Sequence, residues 1–391
     1  MYIRSMKFFS EKLSNIKPSG IRELFAKAQG LEGVISLGIG APDIETPKKL
    51  KEALVEAVLS NFNNYDQTPG NVQLREEIVK KYKQEYNMDY DKNNGVIVTS
   101  GGVELIYLAL QAFLKKGEEV LIQDPCFLTY PRQIILAGGR PVWVKSTSDF
   151  KMDLESVKES INDKTKAIML NFPNNPTGAM MDRNELKAIV DLAVDNDLII
   201  LSDEVYEYYV FDNKKHVHVA SIGDAYHNTI TINSFSKSFC VPGWRMGYGV
   251  STPELMGPIL GYHSFVVANA TTPTQVALAN YINSEDAKIF REKIRETFQK
   301  RRDKIVKGLN SISGIEAHNS SGSFYAYFNV SGLDMTGEEF SDFAFKKAKV
   351  VFVPGTEFGQ EESQKTFLRA SFGSVDEEKI EQVIERLTKL L

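Results

Sequence analysis

Two rhythms of apolar residues run through the chain. In the middle third, short apolar β-prone runs alternate with stretches in which apolar positions recur every three or four residues. The runs Val96-Ile97-Val98-Thr99, Val120-Leu121-Ile122, Ala167-Ile168-Met169-Leu170, Leu198-Ile199-Ile200-Leu201 and Thr229-Ile230-Thr231-Ile232 predict strands. Val103 to Leu114 and Asn184 to Val194 predict helices between them. Strands that are apolar throughout, separated by helices, predict an α/β fold whose mostly parallel sheet is covered by helices on both faces. Before this alternation, the spacing predicts helix from Phe8 to Gln29, broken at Pro18-Ser19-Gly20, and a short strand entering the Gly38-Ile39-Gly40-Ala41-Pro42 turn. A helix over Pro47 to Leu59 follows, with Leu50, Leu54, Val55 and Val58 on one face, and another over Leu74 to Tyr86. Beyond Ser251 the texture changes. Long helices over Asp286 to Leu309 and Gly337 to Lys347, short strands near Phe324 to Val330 and Val350 to Val353, and a closing helix from Glu377 predict a smaller α+β domain.

Composition narrows the function without naming it. The 391 residues suffice for about two domains, and a net charge of -5 leaves no basic footprint for nucleic acid. From Arg291 to Arg302 cations alternate with acids, the pattern of a solvated helix face. Cys126 and Cys240 make no disulfide framework and lack zinc-ligand spacing, so they are expected as packing residues, with Trp244 as a core anchor. The five histidines, His216 and His218 among them, show no metal spacing and are expected as surface or loop residues; no metal is expected. The N-terminus has no continuous apolar run, and no later segment approaches the ~20 clean apolar residues of a membrane span. A cytoplasmic protein is expected.

In an open parallel sheet, ligands bind beyond the carboxyl ends of the strands. Five chemically distinctive features fall at those predicted ends: Gly101-Gly102, Phe127, Asn175, Asp203 and Lys237. Lys237 ends the strand that begins at Thr229; Ser234 and Ser236 precede it closely and Arg245 lies eight residues beyond. A primary amine beside hydroxyls and a guanidinium suits a Schiff-base lysine holding a phosphorylated aldehyde. The Gly38-Ile39-Gly40 turn is not a dinucleotide fingerprint, because Asp43 stands where the third glycine belongs and Pro42 occupies the turn.

Taken together, Gly40-Ala41-Pro42-Asp43, Tyr65, Gly101-Gly102, Pro125 to Tyr130, Asn175-Pro176-Thr177-Gly178, Asp203-Glu204-Val205-Tyr206, Ser234-Phe235-Ser236-Lys237, Gly243-Trp244-Arg245 and Arg369 stand in an order that resembles class I aminotransferases. These are pyridoxal-phosphate enzymes of the aspartate aminotransferase fold. The resemblance runs from about Ile35 to Ser371. It implies an N-terminal arm and part of a small domain over residues 1–47, a large cofactor-binding domain over 48–275, and the rest of the small domain over 276–391. It implies that Lys237 carries the cofactor aldehyde and then moves the substrate Cα proton. Asp203 would hold the ring nitrogen protonated, and Tyr206 and Asn175 would donate to the phenolic oxygen. The amides of Gly102 and Val103 at the Gly101 turn, with Ser234, Ser236 and Arg245, would hold the phosphate, and Phe127 would stack on the ring. Arg369, helped by the Gly40 backbone and Asn175, would clamp the substrate carboxylate. Tyr65 would reach the phosphate of the neighbouring subunit, which implies a homodimer with shared sites.

The expected activity is transfer of an amino group from aspartate or an aromatic amino acid to 2-oxoglutarate. Some aspartate-specific relatives carry a lysine where this chain has Val103, so strict dicarboxylate preference is in doubt and an aromatic side chain would suit the site. Two alternatives remain: a pyridoxal-phosphate-dependent C–S β-lyase or other lyase on the same scaffold, and a regulator that uses such a domain as an effector sensor. The second would need a DNA-binding domain ahead of residue 35.

Overall fold

The computed structural model describes residues 31–391; the helix expected over Phe8 to Gln29 lies outside them. Thirteen strands, numbered in chain order, are β1 (Ile35–Ser36), β2 (Val96–Thr99), β3 (Glu119–Gln123), β4 (Arg140–Val144), β5 (Thr165–Leu170), β6 (Ile199–Asp203), β7 (Thr229–Ser234), β8 (Gly247–Val250), β9 (Glu316–Ala317), β10 (Tyr325–Asn329), β11 (Val350–Val351), β12 (Val353–Pro354) and β13 (Phe367–Ser371). Seven of them form the central sheet in the order β2-β8-β7-β6-β5-β3-β4. Only β8 runs against the rest, pairing antiparallel with both β2 and β7.

The middle strands carry apolar residues on successive positions because both faces are covered. Along β3, β5 and β6, Val120, Ile122, Ala167, Met169, Ile199 and Leu201 pack into one cluster with the helices Gly102–Phe113, Thr129–Ala137 and Pro253–Val266. The intervening Leu121, Ile168, Leu170 and Ile200 pack into another with Leu186, Ile189 and Val190 of the helix Arg183–Asp195. Alternate residues of a strand point to opposite faces, so each strand feeds two cores.

The strand β4 and the helices Thr129–Ala137 and Pro253–Val266 had no counterpart in the predicted pattern. Nor did β8, whose sequence Gly247-Tyr248-Gly249-Val250 is glycine-rich and poor in strand propensity. Its glycines are required by packing. A Cβ on Gly247 would stand 2.4 Å from the Gly102 nitrogen, and one on Gly249 would stand 2.3 Å from Leu105 Cδ2. The helix that opens at Gly102 can therefore press directly onto β8.

Two smaller sheets lie outside the central one. The antiparallel sheet β12-β13-β10-β9 comes wholly from the last third of the chain, while β1 pairs parallel with β11 through Ile35 opposite Val350. Ile35 and Leu37 share one buried cluster with Phe324, Phe328, Phe352 and the closing helix Glu377–Thr388. The Val350 to Val353 run divides between two sheets. The helix expected to reach Lys347 ends its regular α turns at Phe343 and continues as a π-helical turn through Ala348.

The solvated helix face expected from Arg291 to Arg302 holds only in part: Glu292, Lys293, Glu296 and Lys300 are exposed, but three arginines are not. Arg291, Arg301 and Arg302 are buried on the helix Glu285–Asn310. Arg301 donates to Asp43 Oδ1 at 2.7 Å, Arg302 to Asp212 Oδ1 at 2.6 Å, and Arg291 to the Tyr208 hydroxyl at 3.0 Å. Alternating charge cannot distinguish a solvated face from one whose cations tie a helix to neighbouring loops. His216 and His218 do lie in a loop, but turned inward, His218 buried and His216 partly buried, because the buried Glu204 accepts from His216 at 3.0 Å and His218 at 2.8 Å. Burial works against the charge of Glu204, yet the two histidines hold its carboxyl well below the usual carboxylate range. Cys126 and Cys240 are buried free thiols, and Trp244 packs, partly buried, against the cluster around Phe235 and Tyr248. Among the described residues no helix is long and apolar enough to cross a membrane.

Candidate active site

The parallel strands β2, β3, β5, β6 and β7 end on one side of the sheet, and the loops beyond them enclose a cavity of about 330 Å³. Its wall includes Val103, Phe127, Asn175 and Asp203, which follow or end β2, β3, β5 and β6 in turn, and Ser234 and Lys237, which end and follow β7. Gly40, Gly102, Tyr206, Ser236, Arg245 and Arg369 also line it. Among the residues singled out from sequence, Gly101 stands just behind the wall, and Tyr65 is 90 % exposed and away from the cavity of its own chain. A groove of about 1010 Å³ beside the helix Lys48–Leu59 is larger, but it has none of these convergent groups.

Lys237 lies in the single helical turn Phe235–Ser238, whose N-cap is Ser234. The Ser234 hydroxyl accepts from the Ser236 amide at 3.2 Å and donates to the Met246 carbonyl at 3.1 Å. The Lys237 amine donates to the Gly40 carbonyl at 2.7 Å and sits 5.5 Å from the Phe324 ring centre. Burial, with Arg369 and Arg245 nearby, pulls this amine down to about 8.

Asp203 is the last residue of β6 and is 5 % exposed. Burial pushes its carboxyl up to about 6, against a 2.6 Å hydrogen bond from the Tyr130 hydroxyl to Oδ2. Its other oxygen has only a 3.4 Å contact with the Val205 amide. Asn171 fixes the neighbouring backbone by donating to the Asp203 carbonyl at 2.9 Å and accepting the Asn175 amide at 3.0 Å.

Arg369 comes from the middle of β13, opposite Tyr327, and is 4 % exposed. It donates to Asn175 Oδ1 at 2.9 Å and to the Gly38 carbonyl at 2.8 Å, while its buried Nε has no partner among the described residues. Tyr325 and Phe358 each place a ring centre 4.5 Å from the guanidinium carbon. No carboxylate pairs with it among the described residues, an expensive arrangement for a buried cation. Asn175 bridges this arginine to the Tyr206 hydroxyl at 3.3 Å, and Tyr206 in turn meets the Tyr325 hydroxyl at 3.0 Å. The Tyr206 hydroxyl is pushed well above its ordinary value by burial and by Tyr325.

A second cationic corner is formed where Gly101, with φ of +89°, turns the chain into the helix Gly102–Phe113. The first amides of a helix have no carbonyl one turn back, and together they favour an anion. Arg245 crosses behind Gly101, donating to the Ser100 carbonyl at 3.4 Å and to Pro242 at 3.0 Å. A Cβ at Gly101 would collide with the Arg245 guanidinium at 2.5 Å, so only glycine permits this crossing.

Strand ends and motif order missed four members of the site. Tyr130, Asn171, Tyr325 and Phe358 read as core or loop residues in one dimension. Only Tyr130 had a local signal, three residues after Phe127 in a motif already singled out.

The whole chain shares this organisation with known proteins. The sequence profile of aminotransferase class I and II matches residues 32–387. The chain belongs to this aminotransferase family. It is an α/β amino-acid aminotransferase and resembles members throughout its length. It is 38 % identical to aromatic-amino-acid aminotransferase 2 of Thermococcus litoralis over 387 residues, covering 98 % of each chain. It is 37 % identical to an aspartate aminotransferase of Pyrococcus horikoshii, covering 98 % of this chain and 97 % of that one. Among solved structures, the aspartate aminotransferase of Thermus thermophilus with maleate superposes with a TM-score of 0.92 at 31 % identity, covering 99 % of this chain and all of the other. An aromatic aminotransferase from Pyrococcus horikoshii gives 0.89 at 34 %, covering 95 % and 98 %.

Proposed function

We propose that this aminotransferase uses pyridoxal 5'-phosphate bound at Lys237 to move the amino group of aspartate or an aromatic amino acid to 2-oxoglutarate. The observation that carries the reading is the convergence on one cavity of a lysine amine, a buried carboxylate and two arginines that have no acidic partner among the described residues. The donor set fits the cofactor at each end: Gly102, Val103, Ser234, Ser236 and Arg245 suit a phosphate, and Asp203 suits a protonated ring nitrogen. Phe127 borders the same cavity as a stacking face. When bound, pyridoxal phosphate supplies an aldehyde that accepts the amino group and a ring that withdraws electrons from the substrate Cα.

The chain's residues do the remainder. Lys237, depressed to about 8, is partly unprotonated near neutral pH and so can act as a nucleophile, then as the base and acid that shuttles the Cα proton. Asp203 is mostly ionised at pH 7, and a cation facing it would hold it there. Tyr130 and Asn171 orient Asp203, while Tyr206 and Asn175 point hydrogen-bonding groups into the cavity. Arg369 presents a guanidinium with an unused Nε to a substrate carboxylate, matching its fork to two oxygens. Val103, 39 % exposed at the cavity lip, offers an apolar contact and no charge to a donor side chain.

The proposal extends to assembly and place. Tyr65, almost fully exposed, is available to a second copy's phosphate corner, and the exposed Val55, Leu59, Phe62 and Phe265 supply apolar surface suited to a homodimer. The division at residues 47 and 275 is proposed as that between the small and large domains. Cytoplasmic residence suits two free thiols.

The direct test supplies the purified protein with pyridoxal phosphate, 2-oxoglutarate and L-aspartate or L-phenylalanine in turn, and assays glutamate and the new oxo acid. Stoichiometric formation of both supports the proposal. Release of ammonia and pyruvate without an oxo-acid acceptor contradicts it. In the same assay, Arg369→Ala is expected to lower kcat/KM by roughly 10²- to 10³-fold, chiefly through KM. Truncating one partner of a buried charge pair costs about 2–5 kcal/mol.

A further inference from the structure

The segment carrying Phe358 is joined to the loop carrying Phe127 by one backbone bond and by a set of side-chain bonds gathered on a single acidic residue that no catalytic role requires. Asp124 follows β3 and is half-buried. Its Oδ1 accepts the Gln360 amide at 3.1 Å and Gln364 Nε2 at 3.3 Å, and its Oδ2 accepts the Ser363 hydroxyl. These partners are all neutral and lie more than 230 residues away in sequence. Gln364, 4 % exposed, also accepts the Tyr327 hydroxyl at 2.7 Å, which ties the cluster to β10. Two residues beyond Asp124, the Cys126 amide donates to the Phe358 carbonyl at 2.9 Å. Gly359 is packed so closely that a Cβ there would stand 2.0 Å from Asp124 Oδ1.

We infer that Asp124 is a positioning residue for substrate binding: it locks residues 358–364 against the Phe127 loop and thereby holds the Phe358 ring against Arg369. The inference rests on the proposed role of Arg369 as the carboxylate clamp. Among the described residues that guanidinium has no acid to orient it; Asn175, the Gly38 carbonyl and the two rings fix its plane. Bidentate recognition tolerates little displacement. With residues 360–364 released, Phe358 keeps its backbone bond to Cys126 but its ring is less firmly held, and one of the surfaces that define the arginine loosens. Phe127 stays in place because Cys126 and Tyr130 anchor its loop in the core beneath the sheet, so cofactor binding is spared.

The test compares holoenzymes carrying Asp124→Ala, Gly359→Ala and Ser363→Ala with the parent. Steady-state kinetics use L-aspartate and L-phenylalanine, and pyridoxal phosphate affinity is measured by spectral titration. Asp124→Ala and Gly359→Ala are expected to raise KM for the amino acid about tenfold. Changes in kcat should stay within about threefold, and those in cofactor affinity within about twofold. Ser363→Ala, which removes one exposed partner, should raise KM about two- to threefold. In the Asp124→Ala/Gly359→Ala double variant the two effects should not add, since the carboxylate the new methyl would displace is already gone. An unchanged KM in Gly359→Ala or Asp124→Ala overturns the inference, as does a loss confined to kcat or to cofactor affinity. Should Asp124→Ala not fold, Gly359→Ala and Ser363→Ala decide the matter alone. A parent enzyme that transaminates with Arg369→Ala as well as without it removes the underlying reading instead, a result distinct from an inert latch.

Discussion

Replacing Lys237 with alanine is expected to lower the transamination rate by about 10⁴-fold or more while the protein remains folded. The side chain has two proposed tasks, nucleophile and proton carrier, and loss of a positioned proton carrier alone typically costs 10²- to 10⁴-fold. Little stability is at stake. The amine makes one hydrogen bond, to the Gly40 carbonyl, and its burial is unfavourable enough to depress it to about 8. Lys237→Ala should therefore melt no lower than the parent when both are free of cofactor. Activity is measured by glutamate formation and stability by thermal denaturation. Residual activity within tenfold of the parent would remove Lys237 from the mechanism.

Asp203→Asn isolates charge from shape and is expected to reduce kcat by roughly 10²- to 10³-fold, the usual cost of deleting one preorganised electrostatic group. The asparagine can still accept the Tyr130 hydroxyl, so the pocket keeps its geometry. It cannot, however, hold a proton on a facing ring nitrogen. Tyr130→Phe should fall much less, because it loosens the carboxylate without removing it. Steady-state kcat for the preferred donor checks both. If Asp203→Asn and Tyr130→Phe lose equally little, Asp203 serves packing and the electrostatic role fails.

The central sheet was legible because β3, β5 and β6 are buried on both faces and carry unbroken apolar centres, while β7 alternates threonine with isoleucine, both β-prone. Those strands place Asp203 and Lys237 at their ends, and a rule about strand ends was enough to gather them. β4 was missed because its edge position leaves Arg140-Pro141-Val142-Trp143 only partly buried, with no clean run to read. β8 was missed because its glycines answer to the helix pressed on them rather than to strand propensity. Arg369 could be placed only by motif order. The aromatic rings that hold it, Tyr325 and Phe358, come from β10 and from a loop near residue 358, and nothing local separates them from core residues such as Phe324 and Phe328. Glu204 with His216 and His218 makes the same point in polar form, since the inward turn of the two histidines depends on the carboxylate they share and not on any single residue's chemistry.

The most direct measurement is reductive trapping. Cofactor-free protein is mixed with pyridoxal phosphate across a pH series and treated with borohydride, and the labelled peptide is identified by mass spectrometry. The proposed mechanism predicts one stoichiometric label on Lys237. The yield at short times should rise with pH through about 8, because the amine reacts only when unprotonated and burial with nearby Arg369 and Arg245 lowers its pKa. Labelling spread over surface lysines, or a Lys237 that reacts only near the ordinary lysine value of about 10.4, would contradict it.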